Sequence, residues 1–122
     1  MEHEPWNPTE ATNNLRTIGQ HPGLTLAYKL HARDRLAERS IILSDVLYIL
    51  RNGFVYVDPV PAKKSRGYWR YQMECRTPNS EGRVVRVVVI PNANAMTIKI
   101  VTVMWADEDQ TRAGTILKEE ED

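Results

Sequence analysis

The chain has 122 residues, 42% of them hydrophobic and 26% charged, which suits one globular domain with one core and excludes disorder throughout. Its 16 basic and 16 acidic side chains cancel, its single cysteine excludes an intramolecular disulfide, and no apolar run approaches the ~20 residues of a membrane-spanning helix. The zero total hides a segregation: residues 29–105 carry 13 Lys/Arg against 6 acids, a net +7 between ends of −2 and −5, and such a basic centre suits an anionic partner.

Residues 1–23 are polar and hold Pro5, Pro8, Gly19, Pro22 and Gly23. They read as an arm that docks on the domain or on a partner, with a short helix from Thr9, as N-cap, to about Ile18, before Gly19. Met1–Asn14 lacks the charged-then-apolar pattern of a secretory leader, so a cytoplasmic address with no membrane contact is expected. The domain proper is expected over residues 24–106. Leu24–Tyr28 suits a short strand. His31–Glu38 is rich in helix formers, with Leu30, Leu36, Ala37 and Ile41 available for an inward face. Ser44 then reads as the N-cap of a second helix, with Asp45 in its first turn, Val46, Leu47, Ile49 and Leu50 inward, and Asn52-Gly53 at its end.

After Gly53 the apolar period changes to two. Phe54–Asp58 predicts a strand, and residues 59–67, rich in Pro and Lys/Arg, a basic loop. Tyr68–Arg76 alternates, with Trp69, Tyr71, Met73 and Cys75 on one side and Tyr68, Arg70, Gln72 and Glu74 on the other. Thr77–Gly82 is a polar turn. Val84–Ile90 is nearly all apolar and β-branched, as in a central strand, with Arg86 its interior charge. Met96–Trp105 predicts the last strand, carrying Lys99. Residues 107–122 form an acidic tail, with a short helix expected around Ala113–Glu120. Two helices followed by about four strands on short turns give an α+β fold: a helical pair packed on an antiparallel meander.

His31, Arg35 and Arg39 recur at i, i+4, i+8 and line one helix face. The two arginines repel each other there, so the helix either keeps them for an anion or uses them to hold acids elsewhere in the fold. A second basic set is Lys63, Lys64, Arg66, Arg70, Arg86 and Lys99, interleaved with Tyr68, Trp69 and Tyr71. Lys/Arg with aromatic rings suits RNA, because phosphates take cations and unstacked bases take flat faces, while Trp69 and Tyr71 also read as plain core. The three histidines and one cysteine show no metal-ligand spacing, and no glycine-rich phosphate loop or nucleophile elbow is present, so neither metal nor cofactor is expected. Cys75 falls on the apolar side of its strand and reads as an inert thiol.

The stretch His31-Ala-Arg-Asp-Arg-Leu-Ala-Glu-Arg39, followed by Ile41 or Ile42, Ser44-Asp45-Val46 and Asn52-Gly53, resembles the opening of a family of small bacterial domains of unknown function. Those domains are similar to the RelE/ParE-like and BrnT toxins. Arg86-Val-Val-Val89 and Ile100-Val-Thr-Val-Met-Trp105 resemble the family's closing strands, so the likeness spans roughly residues 25–105. It implies a RelE-like fold, with a helical pair against a twisted antiparallel sheet and residues 24–28 as an edge strand. It also implies a metal-independent ribonuclease toxin with RNA as target and an antitoxin protein as partner. His31 would then be the general base or acid, and Arg35, Arg39, Arg70 and Arg86 would hold phosphate. The alternative function is a non-catalytic module that binds nucleic acid or an acidic protein.

Overall fold

The computed structural model describes residues 1–108; the helix expected around 113–120 lies outside the described residues. The chain orders as α1 (Pro8–Gln20), β1 (Thr25–Tyr28), α2 (Leu30–Glu38), α3 (Leu43–Asn52), β2 (Val60–Pro61), β3 (Trp69–Arg76), β4 (Val84–Asn92) and β5 (Thr97–Trp105). The fold is α+β, as expected, but with three helices and a five-stranded sheet of order β1-β5-β4-β3-β2. The meander β2 to β5 is antiparallel, whereas β1 pairs parallel with β5, Thr25 against Thr97 through Tyr28 against Ile100.

The N-terminal segment, expected as an arm with a short helix, carries α1 and packs it into the core. Asn7, not Thr9, caps α1: its side chain accepts the Glu10 amide at 2.8 Å while the Glu10 carboxylate accepts the Asn7 amide at 3.0 Å. Ala11, Leu15 and Ile18 on one face are completely buried. Trp6 stacks on Tyr71 with centroids 5.3 Å apart, and its backbone N–H donates to the Tyr71 hydroxyl. Gly19 lets α1 approach α3 closely, since a Cβ there would lie 2.7 Å from the Leu50 carbonyl oxygen.

In α2 the inward residues are Ala32 and Leu36 rather than Leu30 and Ala37, both of which are exposed. The helix sits beside β5, and a small residue at the contact allows that close packing. α3 begins two residues earlier than an N-cap at Ser44 would set it, with Asp45 rather than Ser44 satisfying its N-terminus. The buried Asp45 carboxylate accepts the Ile42 amide at 3.1 Å and the Thr77 hydroxyl at 2.7 Å. It thereby ties α3 to the β3–β4 turn.

The three helices and the inward residues of the sheet share one core: Val46, Ile49 and Leu50 of α3 meet Tyr71, Met73, Val85, Val87, Val89, Ile98, Ile100 and Val103. β5 carries a bulge, because Val88 pairs with Thr102 and Val89 with Ile100, leaving Val101 as the extra residue. The inward parity therefore switches from Ile98 and Ile100 to Val103 and Trp105. The predicted strand Phe54–Asp58 is reduced to a single bridge, Phe54 with Glu74. Val55 points inward, 5% exposed, and its amide is taken by the Thr12 hydroxyl of α1 rather than by a strand.

Candidate nucleic-acid interface

With the helices on one side, cross-strand register decides what the other side of the sheet displays. Arg70, Gln72 and Glu74 of β3 oppose the inward Tyr71 and Met73, and so face outward. Glu74 pairs with Arg86 and Gln72 with Val88. Lys99 pairs with Ile90 on one flank and Ala27 of β1 on the other. Arg70, one residue before Tyr71 and its partner Val89, falls across the strand from Ile90. The register thus brings three predicted site residues, Arg70, Arg86 and Lys99, onto one outer face.

The basic loop completes that face. Ala62 packs on the small outer cluster of Val88, Ile90 and Val101, and Ser65 and Tyr68 line a shallow basin with Ile90 and Lys99. The loop closes through Ala62 N–H to the Tyr68 carbonyl at 3.0 Å and Tyr68 N–H to the Ser65 carbonyl at 3.1 Å. Lys63, Lys64 and Arg66 are exposed along it. Six cations therefore meet on or beside one sheet surface, which among the described residues also carries Glu74. Arg86 faces that carboxylate, both of whose oxygens lie 3.4 Å from its guanidinium.

The helix stripe has a different position. His31, Arg35 and Arg39 do share one side of α2, partly buried beside β5, and not on the outer sheet face. Arg35 bonds Glu38 at 2.7 Å. Arg39 is clamped at the helix end: its Nε donates to both Glu108 oxygens at 2.9 and 3.2 Å, and its carbonyl accepts the Trp105 indole N–H at 2.9 Å. Arg83 adds to this clasp from β4's start, lying 4.0 Å over the Trp105 ring and bonding Asp107 at 2.8 Å, which holds the Asp107 carboxyl below its usual range. Asp107 and Glu108, the first residues of the expected tail, are thus each paired with an arginine of the domain. The alternative reading of the stripe, in which its arginines hold acids elsewhere in the fold, describes Arg39, whereas Arg35 pairs within its own helix.

Sequence reasoning missed a neighbouring feature. Phe54 bridges Glu74 and so shares its side of the sheet, while the buried Val55 sends Tyr56 back to the same side as Phe54. The two rings stack with centroids 6.0 Å apart. Arg16 of α1 lies 4.5 Å from the Phe54 centroid, fixed by the carbonyls of Gly53 and Asn52 at 2.9 Å each. The legible signal was the alternation Phe54–Val55–Tyr56. The link to Arg16 was not legible, because it joins residues far apart in the chain. Elsewhere, burial pushes the Cys75 thiol up, away from reactivity. Among the described residues no group of three His, Cys, Asp or Glu is placed to hold a metal ion, and no helix is long and apolar enough to cross a membrane.

Residues 28–105 match the family model described as a domain of unknown function (DUF4258), and the chain belongs to that family. The match takes in α2 through β5 and leaves α1 outside it. No curated protein and no solved structure matches the chain.

Proposed function

We propose that this DUF4258 member binds RNA on the outer face of its sheet, as the recognition surface of a toxin-like protein whose protein partner is an antitoxin. The observation that carries the reading is the register that sets Arg70 and Lys99 on either side of Ile90, under a loop bearing Lys63, Lys64 and Arg66. A charge set in an otherwise apolar strand is retained at a cost unless it reaches an open face or a partner, and this face gathers several such charges. Phosphates would take the cations, and Tyr68 at the rim offers a ring to a base.

Cleavage is the finer statement, and it would need a strand bound on the outer face to reach His31 on α2, which lies off that face. Arg35 and Arg39 are engaged with carboxylates, and His31 is the stripe's side chain whose imidazole chemistry suits proton transfer. RNA scission at a 2′-hydroxyl needs one group to accept that proton and one to protonate the leaving 5′-oxygen. The experiment separates the two claims. Purified protein and His31→Ala are incubated with mixed RNA in EDTA, and both binding and strand length are read. Wild-type cleavage that His31→Ala loses, with binding kept, supports a metal-independent ribonuclease. Binding with intact RNA in both supports a non-catalytic RNA module, and no binding by wild type contradicts the proposal.

A further inference from the structure

The Arg16–Phe54–Tyr56 stack stands at the β3 edge of the same outer face, with Phe54 45% and Tyr56 65% exposed. Rings of this size are ordinarily drawn inward, and here both are held out. Their position is fixed from three directions. Val55 between them is anchored in the core, with its amide on the Thr12 hydroxyl at 2.9 Å. The Phe54 backbone exchanges two bonds of 3.0 Å with Glu74. The Arg16 guanidinium, itself held by two carbonyls, backs the Phe54 ring. The result is a preorganised cluster in which Phe54 touches both a planar cation and a second ring, Tyr56, which is the more exposed of the two rings.

Such a cluster is chemically suited to another flat π-system. A guanidinium and aromatic rings are what unpaired bases stack on, whereas a duplex keeps its base faces hidden. We infer that Phe54 and Tyr56 form a stacking platform for unpaired RNA bases, so that the outer face takes single strands, with phosphates on Arg70 and Lys99 and bases on the rings at the edge. This rests on the RNA reading above and adds to it a ligand class and a base subsite.

The test uses the full chain with fluorescein-labelled twelve-nucleotide oligoadenylate and a twelve-base-pair RNA duplex, read by anisotropy for wild type, Tyr56→Ala, Tyr56→Trp and Arg70→Ala/Lys99→Ala. Tyr56→Ala should weaken oligoadenylate binding about tenfold, leave duplex affinity and the thermal midpoint at wild-type values, and be restored by Tyr56→Trp. Unchanged oligoadenylate affinity in Tyr56→Ala, with a loss in Arg70→Ala/Lys99→Ala, overturns the platform alone. An equal loss for single strand and duplex also overturns the platform. A wild type that ignores oligoadenylate overturns both readings and leaves the rings to a protein partner.

Discussion

Glu4 is a carboxylate whose position works against its charge. It lies partly buried beside Tyr71, whose hydroxyl donates to it at 2.9 Å, and burial raises its pKa despite that bond. The folded state therefore holds the Glu4 proton more tightly than the unfolded chain does. Its stabilising contribution is complete below the ordinary glutamate value and is lost as pH rises through the raised folded value. Glu4→Gln keeps an acceptor for Tyr71 and removes the buried charge. In thermal melts the variant should exceed wild type at neutral pH, and the difference should close below about pH 4. A variant that melts lower than wild type at neutral pH would show that the charge itself is needed. Asp45 is the contrasting case. Its carboxylate closes the start of α3 and holds Thr77, a role beyond the helix-dipole part that its sequence position suggested.

At the scale of elements, α1 carries the largest difference between pattern and structure. Its sequence is polar on average, and Pro5, Pro8, Pro22 and Gly23 around it read as punctuation of an arm. What decides its fate is three residues, Ala11, Leu15 and Ile18, on a single face that is completely buried against the rest of the core. Leu15→Ala should lower unfolding stability by about 3 kcal/mol, measured by denaturant titration. A change of a few tenths would return the segment to a loosely docked arm. The strands were more legible. Alternation set Tyr71 and Met73 on one side and Arg70 on the other, and the apolar run of Val84–Ile90 identified the central strand. The bulge at Val101, the parallel pairing of β1 and the collapse of Phe54–Asp58 to one bridge were not legible. Each depends on which backbone groups find partners across the fold, and the side-chain period does not record that.

At the scale of the molecule, two basic sets that looked equivalent in sequence separate by position. The α2 stripe was legible as a helix face, but its arginines proved to hold Glu38 and Glu108, and Arg39 locks the end of α2 to the end of β5. The strand and loop cations could be named from sequence but not placed, because their grouping follows from register and from the packing of Ala62 on Val88, Ile90 and Val101. The resulting molecule has helices on one side and a basic, ring-edged sheet on the other. Of the 13 Lys/Arg of residues 29–105, six gather on or beside that surface: Lys63, Lys64, Arg66, Arg70, Arg86 and Lys99.

The most direct test is the salt dependence of single-stranded RNA affinity for wild type and Arg70→Ala/Lys99→Ala. If the outer face holds phosphates through these two side chains, the wild-type affinity falls steeply with salt. The double variant then binds more weakly, with a log–log slope shallower by about 1.4, since each lost contact to a single strand removes about 0.7. Equal slopes and equal affinities in the two proteins would contradict the assignment of the outer sheet face.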